Sequence, residues 1–297
     1  MQAMVLAAGM GSRLMPLTGT LPKPLFPVLN RPNLERTVAA LAAKGFSRII
    51  INAFHLGHLI EKWCAASPFR DIVHVVREDK LLGTGGGLKN ALSFFSMDSP
   101  VLVVNSDVVT DIDFALLPLL HETASFPASL VVHDRKPFNN VRLQDGVVTG
   151  FRYEGPDAVA FTGISVIAPE EIAAFPCEKG SLVEIFSQVI VKYGGCNAIE
   201  LATLCPGGYI WEDIGSVAGY LHGHELLSVR GNVMVTVGQH TVLPDDLDVV
   251  GWACMGAGVT VGRGVRLVRT VVWDGVNIAD NVVLEDAVCT PEFVVTV

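Results

Sequence analysis

Residues with the chemistry to bind phosphate share one short stretch near the start of the chain. Gly9 and Gly11 precede Arg13, and Lys23 follows between two prolines, with no carboxylate before Glu35. Glycine lets the main chain approach an anion closely, and Arg and Lys supply charged donors that suit phosphate oxygens. The stretch therefore predicts a phosphate-binding loop. Taken alone, it is equally compatible with a strand-to-helix turn that needs glycine and leaves both cations in solvent.

A second glycine cluster follows in the sequence Gly83-Thr84-Gly85-Gly86-Gly87. So many glycines together predict an exposed and mobile loop rather than a packed one, because glycine adds no side chain to a core. Such a loop would lie flat against a base or a sugar, where side chains would collide. The alternative is a flexible hairpin or hinge.

One acidic residue stands where a metal ligand would be useful. Asn105, Ser106 and Asp107 follow an apolar run that predicts a strand. One carboxylate, completed by phosphate oxygens and water, is a common Mg²⁺ site in proteins, so Asp107 is a candidate ligand. The alternative role is capping of the next helix, for which Asp111 and Asp113 are equally suited.

The elements that must position these residues alternate along the first half of the chain. We expect strands at 4–8, 48–52, 71–77 and 101–105, and helices at 33–44, 56–65 and 87–95. This alternation is typical of an α/β, Rossmann-like domain with a mostly parallel sheet and helices on both faces. Ligands of such sheets bind beyond the carboxyl ends of the strands, where Gly9, Asn105 and Asp107 would lie.

From about residue 226 helical periodicity disappears and apolar residues recur at every sixth position. With one slip after the fourth, these positions are Val249, Met255, Val261, Leu267, Val272, Ile278 and Leu284. The period predicts a short left-handed parallel β-helix, and an ordinary β-meander with chance spacing is the alternative. We therefore expect one domain at residues 1–227 and a β-helical tail at residues 228–297. A solenoid this short needs its ends covered, which predicts a homo-oligomer formed through the β-helix.

The composition excludes several classes of protein. The 297 residues are 50% hydrophobic and 17% charged with a net charge of −9, which argues against a nucleic-acid binder. No apolar run approaches the roughly 18 residues of a membrane span, and no basic stretch leads into a signal-peptide core. The six scattered cysteines contain no Cys-x-x-Cys pair. They predict reduced thiols in a cytoplasmic protein without zinc.

Residues 6–24 carry the pattern Leu-Ala-x-Gly-x-Gly-x-Arg-x-x-Pro-Leu-Thr, followed by Pro-Lys-Pro. With this pattern the chain resembles the sugar-1-phosphate nucleotidyltransferases, also called NDP-sugar pyrophosphorylases. The resemblance extends over nearly the whole chain and implies a Rossmann-like nucleotidyltransferase domain. It also implies Mg²⁺-dependent transfer of a nucleotidyl group from an NTP to a sugar 1-phosphate, giving an NDP-sugar and pyrophosphate. Such enzymes serve nucleotide-sugar biosynthesis for the cell envelope.

The resemblance assigns catalytic and nucleotide-binding roles residue by residue. Arg13 would hold the departing pyrophosphate, and Lys23 would neutralise charge between the α-phosphate and the attacking phosphate. Main-chain amides of Ala7, Gly9 and residues 85–87 would recognise the base. The implied nucleotide-binding residues are Leu6, Ala7, Ala8, Gly9, Gly11, Ser12, Gly83, Thr84, Gly85 and Gly86.

The metal ligands and the sugar-phosphate site are implied in the same way. Asp213, in the sequence Trp-Glu-Asp-Ile-Gly at 211–215, matches the second metal carboxylate of the family and would share Mg²⁺ with Asp107. The implied sugar-phosphate-binding residues are Asn105, Gly163, Glu184 and Arg152. For Glu184 the alternative role is that of an ordinary helix-surface residue.

Two departures from the family pattern affect these assignments. Many members have a Lys that grips the sugar phosphate at the position of Gly155, and Ser106 replaces a usual Gly. Because glycine cannot hold a phosphate by charge, either Arg152 would substitute or Lys23 would act alone. Elsewhere, His222 and His224 alternate on a predicted helix and are expected on its surface.

The donor base and the sugar stay open at this point. The first half of the chain resembles the short uridylyltransferases that act on N-acetylmuramate 1-phosphate, whereas the tail resembles mannose-1-phosphate guanylyltransferases. The donor would accordingly be UTP or GTP. The alternative function is a catalytically silent regulatory subunit that binds sugar nucleotides, which the presence of Arg13, Lys23, Asp107 and Asp213 disfavours.

Overall fold

The elements that hold the candidate residues are short strands and helices distributed along the whole chain. A computed structural model describes residues 1–297. The strands are β1 (Gln2–Leu6), β2 (Pro27–Val28), β3 (Arg31–Pro32), β4 (Arg48–Ala53), β5 (Val73–Arg77), β6 (Val101–Asn105), β7 (Val108–Thr110), β8 (Ala128–His133), β9 (Val141–Gln144), β10 (Val147–Phe151), β11 (Ala158–Ile167), β12 (Cys196–Glu200), β13 (Trp211–Asp213), β14 (Val235–Val237), β15 (Asp248–Met255), β16 (Thr260–Val261), β17 (Arg266–Val272), β18 (Asn277–Ile278), β19 (Val283–Glu285), β20 (Ala287–Cys289) and β21 (Val294–Thr296). The helices are α1 (Asn33–Ala43), α2 (Gly57–Ala66), α3 (Gly83–Asn90), α4 (Leu116–Glu122), α5 (Pro169–Ala174), α6 (Leu182–Tyr193), α7 (Leu201–Leu204) and α8 (Val217–Gly231).

Two compact units share the chain, and each combines segments that are distant in sequence. The first unit comprises Met1–Met10 and Arg36–Tyr209, and the second comprises Gly11–Glu35 and Ile210–Val297. The sequence division at residues 227 and 228 differs from this one. A boundary predicted from the sequence divides the chain at a single point, whereas in the structure the short segment 11–35 packs with the C-terminal residues.

A nine-stranded sheet forms the centre of the first unit, with the order β5-β4-β1-β6-β11-β8-β12-β10-β9. The pairs among β5, β4, β1 and β6 are parallel, as predicted, and β8 is parallel to β12. Strand β11 runs antiparallel to β6 and β8, and β10 runs antiparallel to β12 and β9. The sheet is therefore mixed, and the fold is a mixed α/β fold.

The predicted apolar strands supply the core of this sheet. Met4, Ile50, Val103 and Leu130 have no solvent exposure, so side chains from four neighbouring or nearby strands meet in one hydrophobic cluster. Burial of such side chains is the main stabilising contribution to a sheet of this kind. The ends of the buried strands consequently have fixed positions relative to one another.

The boundaries of two predicted elements are wrong in ways that matter for the site. The first strand ends at Leu6 rather than residue 8, so Ala7 and Ala8 belong to the loop. The third helix begins at Gly83 rather than residue 87, so the glycine cluster is helical. The strand at 101–105 has the predicted bounds.

The tail of the second unit contains mostly parallel strands that stack at a regular sequence spacing. Val235 pairs with Ala253, Ala253 pairs with Thr270, and Val271 pairs with Val288. Only β21 runs antiparallel to its neighbour in this sheet, and β16 pairs with β18 in a parallel two-stranded sheet. The hexad residues contribute to one hydrophobic core: Met255, Val261, Leu267, Val272 and Ile278 are buried in it, and Val249 and Leu284 pack against it.

Helix α8 continues to Gly231, past the point where the sequence pattern loses helical periodicity. No helix in the structure combines the length and the apolar character that crossing a membrane would require.

Candidate active site

The carboxyl ends of three parallel strands lie side by side in the first unit. Leu6 at the end of β1 is in register with Asn52 of β4 on one side and with Asn105 of β6 on the other. The main-chain amide of Ser106 donates to the carbonyl oxygen of Leu6 at 3.1 Å. The loops that begin at Ala7 and Ser106 therefore start from adjacent positions on one sheet edge, as expected for a ligand site of an α/β sheet.

Asn52 connects the first loop to a buried carboxylate that the sequence analysis did not identify. The Ala7 amide donates to Asn52 Oδ1 at 2.8 Å, and Asn52 Nδ2 donates to Glu78 Oε1 at 2.8 Å. The other carboxylate oxygen, Glu78 Oε2, accepts from the Leu82 amide at 3.1 Å. The resemblance assigns the Ala7 amide to base recognition, whereas in the structure this amide donates its hydrogen bond to another residue of the protein.

The glycine cluster at 83–87 is packed, and the expectation of an exposed mobile loop is wrong. Gly85, Gly86 and Gly87 are buried in α3. The amides of Gly85 and Gly86 both donate to the carbonyl oxygen of Gly180, at 2.9 and 3.1 Å. A Cβ at Gly85 would lie 2.5 Å from the carbonyl oxygen of Ser181, and one at Gly86 would collide with the carbonyl oxygen of Glu178. Close approach of two backbones requires these glycines, and their amides are used in that contact.

Gly87 is required for a related reason. A Cβ at this position would lie 2.5 Å from Asn52 Nδ2 and 2.6 Å from Glu78 Oε1. The absence of a side chain therefore makes room for the hydrogen bond between Asn52 and Glu78. Helix α3 and the loop after β1 are connected through that bond.

Gly9 differs from all the other glycines of the predicted nucleotide site. It is exposed, and a Cβ built on it would have no atom within 4 Å. The fold of the protein alone gives no reason for glycine here. Open space beside a main chain without a side chain is what close approach of a ligand requires.

Two of the predicted sugar-phosphate-binding residues, Asn105 and Gly163, are adjacent in the structure. Gly163 has a φ of +79°, and a Cβ there would lie 2.6 Å from Asn105 Nδ2. The register between β11 and β8 shifts between Phe161 and Ser165, so the segment bulges at this point. The left-handed backbone and the close amide both favour glycine.

The other predicted sugar-phosphate residues have different surroundings. Glu184 is the third residue of α6, where its Oε1 accepts from the Ser181 amide at 3.2 Å in a capping box. Glu184 is therefore an exposed helix residue with a capping role, which matches the alternative of an ordinary helix-surface residue. Arg152 is exposed just past the end of β10, which three strands separate from β6 in the sheet order, and it has a φ of +57°. Asp107 is half-buried and lies two residues past the end of β6.

The second unit brings together both predicted catalytic residues and one predicted metal ligand. Asp213 Oδ1 lies 3.6 Å from Lys23 Nζ, and Asp213 Oδ2 lies 3.9 Å from Arg13 Nη2. The Lys23 side chain is 11% exposed and the Arg13 side chain is 68% exposed. Two cations and one carboxylate leave a local excess of positive charge in a protein of net charge −9. Such a cluster attracts anionic ligands.

Gly215 makes this cluster possible, and sequence reasoning gave it no role of its own. A Cβ at Gly215 would lie 2.6 Å from Arg13 Nη2, 2.7 Å from Asp213 Oδ1 and 3.1 Å from Lys23 Nζ. The last glycine of the Trp-Glu-Asp-Ile-Gly sequence thus provides the space into which the three charged groups converge.

His133 is a further buried titratable group, at the carboxyl end of β8. Burial lowers the pKa of His133 to about 4, and the positive charge of Arg135 adds to this effect. The Tyr209 hydroxyl lies 3.3 Å from His133 Nδ1. The imidazole is consequently neutral at physiological pH, so His133 contributes hydrogen-bonding capacity and no charge.

Comparisons with known proteins find several similar sequences and structures. Residues 2–140 match the family described as nucleotidyl transferase. The chain is 28% identical over 302 residues to the mannose-1-phosphate guanylyltransferase of Mycobacterium tuberculosis, covering 95% of this chain and 82% of that protein. It is 32% identical over 226 residues to the N-acetylmuramate alpha-1-phosphate uridylyltransferase of Neisseria meningitidis serogroup B, covering 73% of this chain and 94% of that protein. The crystal structure of HddC from Yersinia pseudotuberculosis complexed with GMP-PN has a TM-score of 0.63 at 22% identity, covering 76% of this chain and 99% of that one, which shows a shared fold.

Proposed function

Because this chain belongs to the sugar-1-phosphate nucleotidyltransferases, enzymes that form an NDP-sugar from an NTP and a sugar 1-phosphate, we propose how its residues divide this reaction. The observation that carries the proposal is the convergence of Arg13, Lys23 and Asp213 around Gly215. An oxygen of the sugar phosphate attacks the α-phosphorus of the NTP. The bond from the α-phosphorus to the bridging oxygen breaks, and pyrophosphate leaves with the electron pair.

The attacking oxygen belongs to a phosphate that is ionised at neutral pH, so the enzyme needs no general base. Catalysis then consists of positioning the reactants and stabilising charge. Lys23, largely shielded from solvent, stabilises the charge that accumulates between the α-phosphate and the attacking phosphate. Arg13, whose side chain is mostly exposed, binds the departing pyrophosphate with its planar array of donors.

We assign Mg²⁺ to Asp107 and Asp213, on the resemblance of both motifs to the family's metal ligands. The donor set fits in kind, since both side chains offer the hard oxygen ligands that Mg²⁺ prefers. No group of three or more His, Cys, Asp or Glu side chains in the structure is arranged to hold a metal ion. This is consistent with an ion that takes its remaining ligands from phosphates and water. When bound, the metal supplies positive charge to the phosphates.

We propose UTP or GTP as the donor, because the relatives described above include one uridylyltransferase and one guanylyltransferase. A sugar 1-phosphate is the acceptor in both cases. For the sugar phosphate we propose Asn105 and Gly163, which are adjacent, with Lys23 as the main cation. Arg152 and Glu184 remain weaker candidates, since the first is exposed beyond β10 and the second caps α6.

For the tail we propose a left-handed parallel β-helix through which the chain forms a homo-oligomer. The parallel pairings between residues 17 or 18 positions apart, such as Val271 with Val288 and Val235 with Ala253, support coils of three six-residue segments. Light scattering on the purified protein tests the oligomer.

The six cysteines are all free thiols, which supports a cytoplasmic location.

The experiment that tests the function measures pyrophosphate release from a panel of NTPs and sugar 1-phosphates. We expect turnover with one pair containing UTP or GTP, and its loss when EDTA removes divalent cations. Arg13→Ala and Lys23→Ala should each lower kcat by about 10²–10³-fold, as the loss of a charge-stabilising group does. Lys44→Ala is a matched control, because Lys44 forms an exposed ion pair with Asp113 at 2.8 Å and should keep the rate of the native enzyme. Native rates for both Arg13→Ala and Lys23→Ala would contradict the assignment.

A further inference from the structure

The segment that carries Lys23 is attached to the tail by aromatic side chains. Phe26, three residues after Lys23, is fully buried. Its ring meets Trp273 edge-on at a centroid distance of 5.1 Å and Tyr220 at 5.5 Å. Edge-to-face pairs of this kind contribute stabilisation beyond their buried area and fix the orientation of the rings.

Polar groups on the same rings add directional contacts. Trp273 Nε1 donates to the Tyr220 hydroxyl at 3.3 Å, and the Tyr220 hydroxyl donates to the carbonyl oxygen of Pro27. Burial holds the pKa of the Tyr220 phenol well above its usual range, so this donor is always protonated. A continuous path therefore leads from the tail through Tyr220 to the residue that follows Phe26.

His224 contributes to the same attachment, and the prediction that it lies on a helix surface is wrong. It has no solvent exposure, and its ring stacks on Trp252 of β15 at 5.5 Å. Its Nε2 lies 3.1 Å from the carbonyl oxygen of Pro27, and the Leu29 amide donates to Nδ1 at 3.5 Å. His222, by contrast, is partly exposed and pairs with Glu212 at 2.6 Å.

The turn that follows is held by a further pair of contacts. Asn30 Nδ2 donates to the carbonyl oxygen of Met255 at 2.7 Å, and the Cys254 thiol donates to Asn30 Oδ1 at 3.1 Å. Leu29 and Asn30 have φ values of 45° and 59°, the left-handed pair that joins β2 to β3 in a tight hairpin. Residues 26–30 thus contact the tail at two places, at the start of the hairpin through Phe26 and at its turn through Asn30.

Tyr220 also belongs to the element that positions Asp213. Strand β13 ends at Asp213, and α8, capped by Ser216, begins four residues later and carries Tyr220 in its first turn. Tyr220 therefore connects the segment that carries Lys23 to the helix that follows Asp213 in the chain. Lys23 itself is connected to Phe26 by the hydrogen bond from the Phe26 amide to the Lys23 carbonyl oxygen, at 3.0 Å.

We propose that Tyr220 and Trp273 are positioning residues for Lys23, through which the tail holds the segment that carries it. This inference rests on the catalytic role proposed for Lys23. It assigns the tail a task separate from oligomerisation, because every contact in the path is made within one chain.

The test uses the full-length protein and two variants that keep an aromatic ring. Tyr220→Phe removes the hydroxyl that reaches Pro27, and Trp273→Phe removes the donor to Tyr220. Each is combined with Lys23→Ala in a double-mutant cycle. The assay is pyrophosphate release from GTP with mannose 1-phosphate and from UTP with N-acetylmuramate 1-phosphate, using the pair that turns over.

With native Lys23, we expect Tyr220→Phe to lower kcat by about tenfold or more, since small misplacement of a catalytic group has effects of this size. KM for both substrates should change little, because no substrate-contacting group is removed. In the Lys23→Ala background the same substitution should change kcat by less than about twofold, as expected when two residues act as one unit. Trp273→Phe should show the same pattern with a smaller effect.

Leu267→Ala is the control for a merely structural effect. Leu267 is fully buried in the core of the tail, so truncating it should lower the melting temperature while kcat per folded molecule stays unchanged. Equal losses of kcat for Tyr220→Phe with and without Lys23, or no loss at all for either aromatic variant, would overturn the inference and leave the proposed function standing. A native rate for Lys23→Ala alone would instead reject the role of Lys23, and with it this inference.

Discussion

Three glycines of this protein have three different surroundings, although the sequence shows only the residue type. At Gly86 a side chain would collide with the backbone at Glu178. At Gly215 it would collide with the ends of Arg13, Lys23 and Asp213. At Gly9 it would meet nothing in the protein. Only the third case leaves open space beside the main chain, and only coordinates separate it from the others.

Gly9→Ala should therefore impair nucleotide binding without destabilising the fold. We expect an unchanged or slightly higher melting temperature and a KM for the NTP raised by about tenfold or more, since a methyl group would occupy space that the ligand needs. Gly207→Ala is the control, because a Cβ there also has no atom within 4 Å and Gly207 lies outside the proposed site. Steady-state kinetics and thermal melts measure both effects, and equal KM values for the two variants would remove Gly9 from the site.

Because His133 is buried, the free energy of unfolding should fall as the pH falls. Burial, aided by Arg135, lowers its pKa to about 4, below the ordinary value of 6.5 that applies to the unfolded chain. Between these values the unfolded state binds the proton more readily, so the stabilising contribution is present above pH 6.5 and is lost as pH falls toward 4. We expect the loss from this group between about pH 7.5 and about pH 5 to be about 2 kcal/mol.

Urea unfolding at both pH values measures this loss. The variant His133→Gln separates the contribution of His133 from that of other groups, such as His121, whose pKa is also lowered by burial. The variant should lack about 2 kcal/mol of the pH dependence seen in the native protein. An identical pH dependence in the two proteins would show that His133 titrates normally.

At the scale of elements, helix α3 illustrates how packing overrides local preference. Glycine is among the poorest helix formers, yet α3 begins at Gly83 and contains the glycines at 85, 86 and 87. The helix forms because its backbone contacts the segment 178–181 and because Glu78 accepts from the Leu82 amide at its N-terminus. The sequence, by contrast, predicts a start for this helix only at residue 87, the last glycine of the cluster.

Gly86→Ala should consequently destabilise the protein, although alanine is the better helix former. We expect a loss of about 1–3 kcal/mol, because the obstacle is the Glu178 backbone and cannot rotate away as a side chain does. Gly231→Ala, at the exposed end of α8, is the matched control. Its nearest neighbour is a side-chain atom of Val233 at 3.8 Å, so it should be neutral or gain up to about 1 kcal/mol. Chemical denaturation distinguishes the two outcomes, and similar values for both would contradict the packing argument.

At the scale of the whole molecule, the two compact units do not correspond to consecutive stretches of sequence. Residues 11–35, which carry Arg13 and Lys23, belong to the same unit as residues 210–297. Their attachment uses Phe26, Pro27 and Asn30 on one side and α8 and the tail on the other. A domain boundary near residue 227 would separate partners that pack together.

Removing the tail after Gly231 should therefore loosen the segment 11–35. In the truncated chain the amide of Asn33, which donates to the Phe26 carbonyl oxygen at 3.0 Å, should exchange hydrogen much faster than in the full chain. Amides of Met4 and Val5, within β1 of the nine-stranded sheet, are the internal control and should stay protected. Hydrogen exchange measured by mass spectrometry provides both values, and unchanged protection at Asn33 would show that the tail does not hold this segment.

The sequence alone determined the family motif, the buried strands and the hexad core of the tail. These features depend on neighbouring residues or on a short period, so they are visible without coordinates. Only the tertiary structure decided that Arg13 and Lys23 meet Asp213, that Asn52 and Glu78 connect the first loop to α3, and that Tyr220 contacts Pro27 across 193 residues of sequence. Such contacts join distant segments, and which segments meet depends on how the whole core packs, which no local pattern records.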